Sequence, residues 1–228
     1  MPQQGGEYHL LVKPANDRSR PVCPHRDPMT KTSAARSESI LCRLTRLIDT
    51  NHGTWRGLVR HLLAQGEFVL GRLDRWVSPD PVRVKRLVFV CLGNINRSAF
   101  ADAVARSQGV QSVSIGLATT TGALAFHKAI AQASRHGIDL SGHSATDITD
   151  YQYMAGDLLL AMEIRHVHRL MALGIPADAI ALLGRWATPR RIHLHDPHTL
   201  SDDYFATCFT LIESAVRRLN AALAKGMS

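Results

Sequence analysis

The stretch of this 228-residue chain whose residue types can do chemistry is Val88-Phe89-Val90-Cys91-Leu92-Gly93-Asn94-Ile95-Asn96-Arg97-Ser98. It reads as a short apolar strand, a cysteine, five further residues, then Arg-Ser opening a helix. A loop between the C-terminal end of a strand and a helix N-terminus suits an anion, because its backbone N–H groups turn inward and the helix dipole favours negative charge. That setting favours the thiolate of Cys91, the form of cysteine that attacks. Arg97, six positions on, can curl back over the loop and grip two phosphoryl oxygens with its planar fork. A thiolate at the floor and a guanidinium at the rim suit in-line displacement at phosphorus. Cys-x5-Arg alone is a loose pattern, also met where a buried cysteine precedes a surface arginine. The strand before it, Gly93 and Asn94 within it, and Ser98 at the helix start make the pattern specific.

The elements around this loop alternate. Leu87–Val90 is a continuous apolar run, the look of a parallel strand buried on both faces. Val113 and Ile115, Asp157–Met162 and Ala179–Leu183 mark three more strands. Helical patterns lie between and after them, over about Ser98–Gln108, Leu124–His136 closed by Gly137, Glu163–Leu173 and Ser201–Lys225. The order predicts an α/β fold: a four-stranded parallel sheet with helices on both faces, over residues 83–228.

The first 82 residues follow another grammar. Residues 1–36 are rich in Pro, Gly, Ser, Arg and Gln and read as a disordered tail. Residues 37–82 read as a helical extension. Ile40, Leu41, Leu44, Leu47 and Ile48 share one helical face. After a break at Asn51-His52-Gly53, Trp55, Leu58, Val59, Leu62 and Leu63 define a second amphipathic helix that could continue through Leu70, Leu73 and Val77. Gly57, Gly66 and Gly71 weaken that helix by about 1 kcal/mol each relative to Ala. Ser78-Pro79-Asp80-Pro81 ends it. The apolar stripe is expected to pack on its own domain or pair with another subunit, as soluble helices do. An anionic membrane surface is the other contact such a basic helix can make.

Charge follows the same division. Residues 1–86 carry 15 Lys/Arg against 8 Asp/Glu, and residues 87–228 carry 12 against 11. The excess belongs to the extension, where it can meet an anionic surface or simply solvate the segment. No nucleic-acid partner is expected. Cys23, Cys42, Cys91 and Cys208 form no CxxC pair and no zinc or disulfide spacing. No apolar run approaches the roughly 20 residues of a membrane span, and the start lacks a secretory pattern. A reducing cytoplasm fits. His193, His195 and His198 gather around Asp196, but their spacing matches no metal site and an exposed loop accounts for them equally well. His166 and His168 are expected at the surface. Cys208 is expected in the core, and Trp55 and Trp186 are expected to pack. No cofactor or metal is called for.

The loop resembles that of the low molecular weight protein-tyrosine phosphatases, and the likeness extends over residues 86–224. His136-Gly137-Ile138-Asp139-Leu140-Ser141-Gly142-His143, then Asp157-Leu158-Leu159-Leu160-Ala161-Met162-Glu163, then Asp196-Pro197 recur in that family's order. The stretches Met162–Leu170 and Leu183-Gly184-Arg185-Trp186 are most similar to bacterial members associated with capsule and exopolysaccharide. The resemblance implies that Cys91 is the nucleophile of a cysteinyl-phosphate intermediate and that Arg97 holds the phosphate. It implies that Asp196 protonates the leaving oxygen and then deprotonates water. Leu92, Gly93, Asn94, Ile95, Asn96, Arg97 and Ser98 would cradle the phosphate, with Asn94, Ser98, Ser114 and His143 as the polar network behind them. The implied partner is a phosphotyrosine protein, such as a membrane-bound tyrosine kinase, with residues 37–82 available for oligomer or membrane contact.

Some positions depart from the pattern. Asn96 stands where most members carry a second cysteine that protects the oxidised nucleophile. His198 and Thr199 replace tyrosines, Thr120 lies near an aromatic wall position, and Thr146-Asp147 replace a basic-polar pair. The aromatic clamp on a substrate ring is therefore thin. Ile95 fits the phosphotyrosine branch, where phosphoarginine enzymes tend to carry threonine. An arsenate reductase of the same fold needs relay cysteines, and only Cys208 follows Cys91. A non-catalytic phosphate-binding module is disfavoured by the presence of Cys91, Arg97 and Asp196 together.

Overall fold

The computed structural model of the chain describes residues 40–76 and 80–226. The expected disordered tail and Val77 lie outside the described residues. The chain divides between Leu44 and Thr45 into two units. Of the first, only Ile40–Leu44, the opening of helix α1 (Ile40–His52), is described.

Four parallel strands form the sheet: β1 (Arg86–Cys91), β2 (Ser112–Gly116), β3 (Asp157–Ala161) and β4 (Ile180–Leu182), in the order β2-β1-β3-β4. From β1 the chain moves first to one side and then, through β3 and β4, to the other. The crevice at the C-terminal ends of β1 and β3 is therefore the switch point of the fold, where open α/β sheets take their ligands.

Alternation along β1 sorts the core. Leu87, Phe89 and Cys91 face one layer, and Val88 and Val90 face the other. The first layer is closed by α3 (Arg97–Ser107), α4 (His127–Ser134) and α6 (Asp202–Gly226). Phe100 of α3 stacks on Phe209 of α6 with ring centroids 4.2 Å apart, a pairing worth about 0.5–1.5 kcal/mol beyond its buried area. The second layer is closed by Val167 and Leu170 of α5 (Ile164–Ala172) and by Ala64 of α2 (Trp55–Val69). Helix α4 starts three residues later than expected, because Leu124 is engaged in a backbone bridge with Ser144.

The extension differs from its sequence reading in two ways. Helix α2 starts where Thr54 Oγ1 accepts from Gly57 N at 3.0 Å, an N-cap. It stops at Val69 rather than running on to Val77, because the backbone turns left-handed at Gly71 (φ +70°). After that turn Leu73 and Trp76 reach back to the sheet beside Ala64. The buried face is also not the one periodicity suggested. Gly57 and Ala64 point inward, while Trp55, Leu62 and Leu63 are 60%, 59% and 64% exposed. The small residues let the helix backbone lie close to the domain and leave the large apolar stripe outward. Trp55 is thus not a packing residue.

His166, expected at the surface, is buried on the inner side of α5. Cys208 is in the core, where burial pushes its thiol up to about 12. No helix among the described residues is long and apolar enough to cross a membrane.

Candidate active site

Cys91 is the last residue of β1, and α3 begins at Arg97, so the loop between them spans the mouth of the crevice. Cys91 Sγ lies 3.0 Å from Ser98 Oγ and accepts from Asn94 N at 3.2 Å. Asn94 carries φ +49°, a conformation that costs free energy for a residue with a side chain and persists only when its surroundings over-determine it. Here every polar group of Asn94 is used. Its Nδ2 donates to Ser98 Oγ at 2.8 Å, its Oδ1 accepts from Thr146 N at 2.8 Å, and its carbonyl meets His143 Nε2 at 2.6 Å. A carbonyl only accepts, so Nε2 must carry the His143 proton. Burial lowers the His143 pKa, although the bond to Asn94 opposes the shift. The loop is thus clamped from β1, from α3 and from the segment 143–146.

Leu92, Gly93 and Ile95 form a half-buried lip, and Asn96 is buried with its Oδ1 unbonded. Ser114 is buried on β2, paired in register with Phe89. Among the described residues, none of the loop's hydrogen bonds runs to it. Ser98 meets the carbonyl of its neighbour Ile115 at 3.5 Å.

Arg97 is fully buried and meets the loop that carries Asp196. Its Nη1 donates to Glu163 Oε1 and to the Leu194 carbonyl, both at 2.7 Å. Its Nη2 lies 2.8 Å from Asp196 Oδ2, an ion-pair contact without hydrogen-bond alignment. Burial pushes the Arg97 pKa down, but the carboxylates of Asp196 and Glu163 outweigh it and hold the guanidinium above its ordinary value. Nε and Nη2 remain buried donors with no hydrogen-bond acceptor. Buried donors are rarely left unpaired, and two on one edge of a guanidinium match two phosphoryl oxygens. Asp196 is the more open partner, with its side chain 28% exposed and Oδ1 accepting from His198 N at 3.2 Å.

Glu163, absent from the candidate residues drawn from sequence, is the hidden centre of the site. It lies two residues past the end of β3, just before α5, and is fully buried. Besides Arg97, its Oε1 accepts from Arg165 Nη2 at 2.8 Å, and its Oε2 lies 3.6 Å from His193 Nε2. Burial alone would raise its pKa, yet Arg97 and Arg165 hold it well below the usual carboxylate range. Burial lowers His193 to about 4 and His166 to about 3, so both rings are neutral beside it. His193 is therefore not the exposed loop residue expected.

Phe126 was also not among the expected site residues. Its N–H donates to the Ile95 carbonyl at 3.0 Å, and its ring meets exposed His198 at 4.8 Å. Sequence offered no signal for it, because Phe126 approaches the loop only through the segment before α4.

Over residues 86–228 the chain matches the low molecular weight phosphotyrosine protein phosphatase family. It is 32% identical over 140 residues to the low molecular weight protein-tyrosine-phosphatase Wzb of Escherichia coli K12, covering 60% of this chain and 94% of that one. The tyrosine phosphatase Wzb of E. coli K30, solved with sulphate, aligns with TM-score 0.54 at 26% identity, over 61% of this chain and 99% of that one. The YwlE arginine phosphatase of Geobacillus stearothermophilus shares the fold, with TM-score 0.54 at 23% identity over 62% of this chain and 94% of that one. Since that match takes in more than half of the sequence, the chain belongs to the low molecular weight phosphotyrosine protein phosphatases.

Proposed function

We propose that Cys91, Arg97 and Asp196 carry the hydrolysis of phosphotyrosine in this protein-tyrosine phosphatase. Arg97 takes two phosphoryl oxygens on Nε and Nη2, and the loop Leu92–Ser98 surrounds the third. The Cys91 thiolate attacks phosphorus in line and forms the S–P bond. The P–O bond to the leaving group breaks, and Asp196 gives its proton to the departing oxygen. Water then attacks the cysteinyl phosphate, Asp196 takes its proton, and the S–P bond breaks to release inorganic phosphate. Ser98 Oγ, 3.0 Å from Sγ, steadies the thiolate at the start and the end of the cycle. The observation that carries this reading is the pair of unbonded buried donors on Arg97, on the same side chain that contacts Asp196.

The ring-bearing lip supports an aryl phosphate. Phe126, bonded to the loop through the Ile95 carbonyl, and His198, two residues past Asp196, form a ring pair beside the loop, and Ile95 adds an apolar edge. This offsets the thin aromatic clamp read from sequence. The finer reading is a cytoplasmic enzyme acting on a phosphotyrosine protein such as a membrane-bound tyrosine kinase. It rests on the resemblance to capsule-associated members. The outward stripe of α2, Trp55, Val59, Leu62 and Leu63 flanked by Arg56 and Arg60, supplies a surface for oligomer or membrane contact.

Steady-state kinetics on peptides carrying phosphotyrosine, phosphoserine and phosphoarginine test the substrate. The expected kcat/KM is highest for phosphotyrosine, with Phe126→Ala narrowing the gap. A preference for phosphoarginine that Phe126→Ala leaves unchanged would overturn the assignment.

A further inference from the structure

The loop that carries Asp196 is held from two sides. From within, Arg97 bonds the Leu194 carbonyl, and Tyr204 OH donates to the His195 carbonyl at 3.1 Å. From outside, the loop is covered by residues 51–68, which precede the part of the chain that matches the family. Arg191 Nη1 donates to the Asn51 carbonyl and lies 3.4 Å from His52 Nδ1. Gln65 Nε2 donates to the Arg190 carbonyl at 3.2 Å, and the Arg190 guanidinium sits 4.2 Å above the Phe68 ring.

The closest approaches fall at two glycines. A Cβ on Gly53 would stand 2.6 Å from Leu200 Cδ1 and 2.8 Å from the Tyr204 ring. A Cβ on Gly57 would stand 2.1 Å from the His52 carbonyl oxygen and 3.0 Å from His195 Cδ2. His195 is the residue immediately before Asp196. The inward turn of α2 on small residues, at the expense of exposing Trp55, Leu62 and Leu63, is what brings its backbone against this ring.

We infer that residues 51–68, the end of α1 and most of α2, form a positioning element for the general acid, with Gly57 the positioning residue that seats His195 and, through it, Asp196. This rests on the reading of Asp196 as the acid. Asp196 must present its carboxyl to the leaving oxygen while Arg97 holds the phosphate. Arg97 holds Oδ2 of that carboxyl and the His198 N–H holds Oδ1, so the carboxyl follows the backbone of residues 194–198, and residues 51–68 close the outer side of that backbone. A shift of about 1 Å in such a group can cost on the order of a hundredfold in rate.

The test uses the full chain with Gly57→Val, whose side chain would clash with the His52 carbonyl and crowd His195, so that the seat α2 gives this ring must shift. Two aryl phosphates are compared: phenyl phosphate, whose leaving group needs a proton, and 2,4-dinitrophenyl phosphate, whose leaving group does not. The expected result is a loss of about tenfold or more in kcat/KM for phenyl phosphate, an unchanged kcat/KM for the dinitrophenyl ester, since kcat/KM reports formation of the intermediate before Asp196 acts as base, and unchanged inhibition by inorganic phosphate. In an Asp196→Asn background, Gly57→Val should produce no further loss, since both changes act through one group. Equal losses of kcat/KM on both esters, or additive losses in the double variant, would overturn the proposal. Should Gly57→Val not fold, Phe68→Ala with Gln65→Ala cuts the contacts to Arg190 and should give the same selective loss in smaller measure. An unchanged leaving-group profile there overturns it too. If Asp196→Asn itself lost kcat/KM equally on both esters, the acid assignment would fall and the proposal with it. A selective Asp196→Asn loss beside a silent Gly57→Val would remove the role of residues 51–68 alone.

Discussion

The two halves of the site are built in opposite ways. The loop from Cys91 to Ser98 takes its path from local structure: a strand end, a left-handed Asn94 and a helix start, tied by bonds among Cys91, Asn94 and Ser98, with His143 and Thr146 closing on Asn94 from outside. The loop from Arg190 to Leu200 has little local structure of its own. Its shape comes from Arg97 and Glu163 beneath it, Tyr204 behind it and α2 outside it. The nucleophile's seat is therefore set mainly by a short stretch of sequence, and the acid's seat is a property of the assembled fold.

Glu163→Gln sharpens this comparison with the largest expected effect. The change leaves Arg97 buried beside a neutral partner, and breaking a buried ion pair costs about 3 kcal/mol or more. The midpoint of thermal unfolding should fall by about 6–12 °C for a chain of this size. Inhibition by inorganic phosphate should weaken as well, because Arg97 loses the contact that aims its Nε edge. Unchanged stability together with unchanged phosphate inhibition would show that the acid loop does not depend on this buried centre.

Acid pH provides a smaller perturbation aimed at the same loop. His193 has its pKa lowered from 6.5 to about 4, first by burial. His166 is lowered to about 3, also first by burial. Below pH 6.5 the unfolded chain takes up protons that these folded residues refuse, so stability falls as pH drops. Above pH 6.5 their contribution is fully present. The expected thermal midpoint therefore declines between about pH 6.5 and pH 4, and His193→Asn flattens that decline. A midpoint that rises over this interval, or an unaltered slope in His193→Asn, would contradict the burial of neutral His193 against Glu163.

What was legible in the sequence follows the same division. The sheet, its order of elements and the phosphate loop could be read because strand, loop and helix lie together in one short stretch with matching periodicity. Asp196 emerged only through the family's Asp-Pro pair, since nothing near it in sequence marks it as an acid. Glu163, His193 and His166 were missed or placed outside because burial of polar residues is created by packing between distant segments. Periodicity found the apolar face of α2 but could not say what covers it. The close packing of Gly57 and Ala64 decided that face the other way. Phe126 reaches the lip through a loop with no pattern of its own.

The central claim is that Cys91 bears the phosphate and Asp196 moves the protons. Rapid acid quench of Asp196→Asn with 2,4-dinitrophenyl phosphate, followed by mass spectrometry of its peptides, tests it most directly. Formation of the intermediate from this ester needs no acid, whereas its breakdown lacks the base, so phosphate should accumulate on the peptide that carries Cys91. Turnover with no phosphate on Cys91 at any quench time, or phosphate found on a histidine instead, would contradict the account.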